Sequence, residues 1–139
     1  MGVSLISASN LTITGTDEAD TLRGGSGDDK IYGLKGQDWL YGYGGNDYID
    51  GGTGPINGFE HDRIDFREES SFVTVDLQAG TAVGQTIGND TIVNIERVIG
   101  TKHNDFLYGS KNDDSFTGDL GDDHIDGRGG FDYVWYGRS

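Results

Sequence analysis

Between Gly24 and Asp50 the chain repeats itself every nine residues: GGSGDDKIY, GLKGQDWLY, GYGGNDYID. Position one is Gly24, Gly33 and Gly42, and position four is Gly27, Gly36 and Gly45. Position six is Asp29, Asp38 and Asp47, and position eight is Ile31, Leu40 and Ile49. A fixed period of this kind marks a unit that cannot bury its apolar face alone and must stack on its neighbours. Glycine at positions one and four lets the backbone reach φ > 0 and turn tightly. The three residues after each aspartate form a short strand with alternating faces, so position eight is expected to be the one that enters the core.

The period extends on both sides. GTDEADTLR (15–23) is a weaker copy, with Asp20 and Leu22 in place but Glu18 at position four. A fifth copy starts at Gly51 and meets its aspartate late, at Asp62, so Pro55–His61 is read as a loop bulging from the turn. A second block holds GTKHNDFLY, GSKNDDSFT, GDLGDDHID and GRGGFDYVW, with Asp105, Asp114, Asp123 and Asp132 at position six. The division is therefore a capping strand in 1–14, a first block in 15–65, a β-stranded spacer in 66–99 continuing the stack, and a second block with the C-terminal end in 100–139. In the spacer, Phe72–Leu77 alternates as a strand, and Gly88–Val93 matches the last six positions of the nonapeptide.

Composition narrows the chemistry. The 139 residues suit one domain, and with 33% hydrophobic residues the supply for a conventional core is thin. The net charge of −14 attracts cations and opposes binding to nucleic acid or an anionic membrane. There is no cysteine for a disulfide and no apolar run long enough to span a membrane. The first fourteen residues lack the basic start and long apolar stretch of a signal peptide.

A turn that points carbonyl oxygens inward beside a carboxylate suits calcium, which takes six to eight oxygens. The repeats, with Gly at one and four, Asp at six and an aliphatic at eight, resemble the RTX (repeats-in-toxin) nonapeptide family of secreted bacterial proteins. The spacer, of the form VDL…G.A…GND.I.NIE.V.G, is similar to segments that separate RTX blocks. The resemblance implies an all-β, right-handed parallel β-roll, a β-solenoid with calcium-binding turns. Two nonapeptides make one coil there, so turns i and i+2 stack with an ion between them. That rule pairs Asp20 with Asp38, Asp29 with Asp47, Asp38 with Asp62, Asp105 with Asp123 and Asp114 with Asp132. The implied metal residues are these nine aspartates with Gly24, Gly27, Gly33, Gly36, Gly42 and Gly45. Asp17 and Asp113, at positions three and five, are expected to face solvent.

Rival chemistries fit less well. An EF-hand reading of Asp122, His124, Asp126 and Gly127 fails because Tyr133 stands where the closing Glu is required. His61, His103 and His124 are scattered and no HExxH motif exists, against a zinc hydrolase. No catalytic residues are assigned and the chain is read as no enzyme. The expected function is a structural calcium-binding module that folds on Ca²⁺ after type I secretion, a monomeric part of a larger extracellular protein. A second reading is a carbohydrate-binding accessory module, for alginate or another extracellular polysaccharide, using outward aromatics such as Trp39, Tyr41, Phe106, Tyr108, Tyr133 and Trp135. The plainer reading has these residues packing against the spacer or a neighbouring module.

Overall fold

The computed structural model describes residues 9–53 and 61–136. Most of the expected 55–61 loop, most of the N-terminal cap and the last three residues lie outside the described residues. Among the described residues the regular elements are all strands: β1 (Thr12–Thr14), β2 (Thr21–Arg23), β3 (Lys30–Tyr32), β4 (Trp39–Tyr41), β5 (Tyr48–Asp50) and β6 (Arg63–Asp65) in the first block. The spacer gives β7 (Val73–Asp76), β8 (Thr81–Gly84), β9 (Gly88–Val93) and β10 (Arg97–Ile99). The second block gives β11 (Phe106–Tyr108), β12 (Ser115–Thr117), β13 (His124–Asp126) and β14 (Tyr133–Trp135). Among the described residues no helix is long and apolar enough to cross a membrane.

The strands form two sheets, in the orders β1-β3-β5-β9-β8-β7-β11-β13 and β2-β4-β6-β10-β12-β14. Each nonapeptide carries the chain from one sheet to the other, so strands two repeats apart pair in parallel. Ile13 aligns with Ile31 and Ile31 with Ile49 in one sheet, and Leu22 with Leu40 in the other. Leu40 aligns with Ile64, so the insertion before Asp62 leaves the register intact. This is a parallel β-roll.

The spacer departs from simple coiling. β7 pairs in parallel with β11, β8 runs antiparallel to both β7 and β9, and β9 returns to lie parallel to β5. Meanwhile β10 joins β6 to β12 without interruption in the other sheet. One sheet thus has eight strands and the other six. Three apolar side chains outside the strands, Phe66, Ile87 and Ile95, are buried in the same core, so loop residues help fill the thicker layer.

Position eight supplies the axis of that core. Ile31, Leu40, Ile49, Ile64, Leu107 and Phe116 are fully enclosed, each worth about 1.5–3 kcal/mol of burial. Enclosure fades towards the ends, where Ile13, Leu22 and Ile125 are partly buried and Val134 is exposed. Position nine also withdraws from water in the six-stranded sheet, where Tyr41, Asp65 and Ile99 are buried. The expectation that position eight alone points away from solvent is corrected there.

Candidate metal centre

The position-six aspartates form files along the edges of the roll. The N–H of each donates to Oδ1 of the aspartate in the next stacked turn: Asp20 to Asp38 at 2.9 Å, Asp29 to Asp47 at 2.8 Å and Asp38 to Asp62 at 2.9 Å. In the second block Asp105 donates to Asp123 and Asp114 to Asp132, both at 2.9 Å. The structure therefore brings together all of the pairs that the stacking rule names. Asp29, Asp38, Asp47, Asp62, Asp105 and Asp114 are buried, whereas Asp20, Asp123 and Asp132 are half-buried.

The second carboxylate oxygen faces a space that glycine keeps open. A Cβ on Gly24 would stand 2.6 Å from Asp29 Oδ2 and 2.7 Å from the Gly42 carbonyl of the next turn. A Cβ on Gly42 would stand 2.6 Å from Asp47 Oδ2. Gly33 is likewise enclosed by Asp38 Oδ2 and the Gly51 carbonyl. Position one is thus glycine because carboxylate and carbonyl oxygens converge there. Left-handed backbone falls instead at positions two and four: Leu34 and Gly36 (φ 78 and 109), Tyr43 and Gly45 (69 and 99), Asp119 and Gly121 (72 and 104), Arg128 and Gly130 (64 and 84). The expected left-handed role of position one is corrected on this point.

These residues fit a calcium ion. Asp47 Oδ2 is buried without a hydrogen-bond partner. Burial, aided by the charges of Asp29 and Asp28 and opposed by the Asp29 N–H, pushes the Asp47 carboxyl up to about 7. Burial likewise raises Asp105, Asp114 and Asp123. Carboxylates held this way without a cation are costly as anions. Among the described residues no three acidic or histidine side chains gather closely enough to hold a metal by themselves. A site here offers two carboxylates, and main-chain carbonyls must complete the shell.

Three turns close differently. Where position four is Glu18, His103 or Asn112, position two is Thr16, Thr101 or Ser110, and its hydroxyl accepts the position-four N–H at 2.9–3.0 Å. The same hydroxyl donates to the position-six carboxylate: Thr16 to Asp20 at 2.9 Å, Thr101 to Asp105 at 2.8 Å and Ser110 to Asp114 at 2.9 Å. At Gly36, Gly45, Gly121 and Gly130 position four lies at φ 84 to 109, beyond the range that Leu34 or Tyr43 adopts at position two, so where position four carries a Cβ a side-chain hydroxyl turns the chain instead.

Two features escaped the sequence reading. Position five is an Asx file: Asp28 N–H donates to Asn10 Oδ1, Asn46 to Asp28, Asn89 to Asn46, Asp122 to Asn104 and Phe131 to Asp113, at 2.7–2.9 Å. Asp113 is exposed, yet it bridges two turns rather than merely facing solvent. The recurrence of Asp or Asn at position five was the available signal. Glu96 takes a position-six place, its Oε2 accepting the Asp62 N–H at 2.9 Å. Counting back two from Val98, which aligns with Ile64, finds it. Asp90, which the match of Gly88–Val93 to the nonapeptide already sets at position six, holds such a place too, its Oδ1 accepting the Asp47 N–H at 2.8 Å.

The first aromatic ridge is committed to packing. Asp65 accepts from Trp39 Nε1 at 3.1 Å, from the Tyr41 hydroxyl at 3.2 Å and from Arg67 Nη2 at 2.7 Å. Arg63 lies 4.1 Å over the Trp39 ring and Arg23 lies 4.2 Å over Tyr41. Phe106 packs edge-on against Phe72 of the spacer. Tyr133 and Trp135 at the C-terminal edge stay about 70% exposed.

Comparison with the curated proteins finds no match. The family model of the RTX calcium-binding nonapeptide repeat, written as four copies, matches residues 12–40, 26–55 and 99–134, more than half of the chain. With glycine-opened turns and filed aspartates at those residues, the chain belongs to the RTX calcium-binding nonapeptide-repeat family and is a calcium-binding β-roll module.

Proposed function

We propose that this module folds when calcium fills the aspartate files and that it does so outside the cell, as a structural part of a larger secreted protein. The observation that carries this reading is the file itself: buried carboxylates stacked turn on turn, with Oδ1 of Asp29, Asp38, Asp47 and Asp62 each held by a main-chain N–H. Without cations those charges repel across a strand spacing of about 4.8 Å. An ion that binds only the folded state stabilises it. Extracellular calcium modules bind at about 10⁻⁴–10⁻³ M, so such sites stay empty in cytosol and fill after export.

The proposed ligands are Asp20, Asp29, Asp38, Asp47, Asp62, Asp105, Asp114, Asp123 and Asp132 with turn carbonyls. Gly24, Gly27, Gly33, Gly36, Gly42 and Gly45 shape the turns around them. The proposed units are the blocks 15–65 and 100–139 with the spacer 66–99 between them. Circular dichroism tests the reading: a coil spectrum in chelator and a β spectrum in millimolar calcium are expected. Identical β spectra in both conditions overturn it. A polysaccharide-binding role rests on the exposed Tyr133 and Trp135, since Trp39 and Tyr41 are engaged within the fold. Titration with soluble alginate tests that second reading.

A further inference from the structure

We propose that a calcium ion is held by Asp47 and Asp90 between the last full turn of the first block and the β8–β9 hairpin loop, and that this ion fixes the spacer to the block. The inference rests on reading the aspartate files as calcium sites. It extends them to a residue outside the repeats that the family model matches.

The Asp47 N–H donates to Asp90 Oδ1 at 2.8 Å, the same bond that joins Asp29 to Asp47, although the partners are 43 residues apart in sequence. Both residues are 3% exposed. Both Oδ2 atoms are buried without a hydrogen-bond partner. Each carboxylate thus spends one oxygen on the stack, or is aimed into it, and leaves the other for something the protein does not supply. Two buried carboxylates in adjacent layers are unfavourable as a bare pair, and a divalent cation relieves both.

The β8–β9 hairpin is seated like a repeat turn, although only Gly88–Val93 follows the nonapeptide. Gly88, at φ +76, sits directly on the Gly45 carbonyl. The Asn89 N–H reaches Asn46 Oδ1 at 2.9 Å. The Thr86 carbonyl lies 3.5 Å from where a Cβ on Gly44 would stand, which brings main-chain oxygen to this layer. The Thr86 hydroxyl donates to Glu69 at 2.7 Å, and the charge of Glu69 acts on Asp90, adding to the negative potential. Asp90 is set in this place by β9, which closes the β7–β8–β9 meander and lies parallel to β5. The site therefore exists only in the assembled spacer, and filling it stabilises that assembly.

Calcium anomalous scattering from crystals of the full chain grown in calcium chloride tests the proposal. A peak at about 2.3–2.6 Å from both Asp47 and Asp90 is expected. Peaks at Asp29–Asp47 and Asp38–Asp62 with none at Asp47–Asp90 overturn this inference and leave the files as calcium sites. No peak at any pair overturns both. In solution, Asp90→Asn is expected to lose one bound ion per chain by calorimetry. It should also speed hydrogen exchange across 81–93 while 15–50 keep their calcium-dependent protection. Unchanged stoichiometry and exchange overturn the proposal. Should Asp90→Asn not fold, the diffraction result on the unsubstituted chain decides.

Discussion

Thr101 holds both oxygens of Asp105: its hydroxyl donates to Oδ1 at 2.8 Å and its own N–H to Oδ2 at 2.6 Å. Oδ1 also accepts the Val73 N–H at 2.9 Å, which ties the second block to the spacer. This turn therefore meets by hydrogen bonding much of what a glycine-closed turn leaves to a cation. Thr101→Val keeps the shape and removes the hydroxyl from a fully buried site. It should lower the stability of the calcium-loaded protein by about 1–3 kcal/mol, the cost of leaving buried groups unsatisfied. Urea denaturation measures this, and an unchanged midpoint would contradict the hydroxyl-closed turn.

Left-handed backbone at positions two and four gives substitutions of opposite sign. Leu34 is half-exposed at φ 78, so Leu34→Gly should stabilise the loaded protein by about 1 kcal/mol. Gly45 is at φ 99, and a Cβ there would strike the Gly27 carbonyl. Gly45→Ala should destabilise by more than Leu34→Gly gains, because both strain and clash apply. Thermal melts in saturating calcium compare the two, and shifts of the same sign would refute this account.

Carboxylates at neighbouring positions should differ sharply in calcium dependence. Asp38 accepts the Asp20 N–H and donates its own to Asp62, so it stands within two stacked pairs. Asp38→Asn should raise the calcium concentration needed for folding, while Asp113→Asn should leave it nearly unchanged. Asparagine at 113 still offers Oδ1 to the Phe131 N–H, as Asn46 does for Asn89. Calcium titration followed by circular dichroism checks the order, and equal effects would place the register in error.

Asp65 gives a pH dependence away from the files. Burial raises its carboxyl, but the paired bonds from the Arg67 guanidinium, the Arg67 N–H and Trp39 outweigh burial, and the net position lies below the ordinary 3.8. A carboxyl lowered on folding stabilises the fold above its unfolded value, and that contribution fades as pH falls through the lowered folded value. Asp65→Asn should therefore cost about 1–3 kcal/mol at pH 7, a range set by loss of charged hydrogen bonds. The gap from the unsubstituted protein should narrow below about pH 4. Denaturation at pH 7 and pH 3.5 measures both, and a gap that widened in acid would reverse the sign.

The sequence by itself determined the turn-and-strand unit, its register and the aspartate pairs, because these are local and recur every nine residues. Asp29 finds Asp47 at a fixed separation of 18 residues, and Ile31 finds Ile49 in the same way. Glycine at position one was legible as a requirement, but its cause was not. The close approach of Asp29 Oδ2 and the Gly42 carbonyl exists only once turns are stacked. Tertiary structure alone decided how the spacer runs, since the reversed β8 and the return of β9 to β5 follow from long-range pairing that no period encodes. It alone set Asp90 upon Asp47 and Glu96 upon Asp62, across intervals of 43 and 34 residues. It also turned Trp39 and Tyr41 from a free ridge into partners of Asp65, because only the folded sheet brings that carboxylate beneath them.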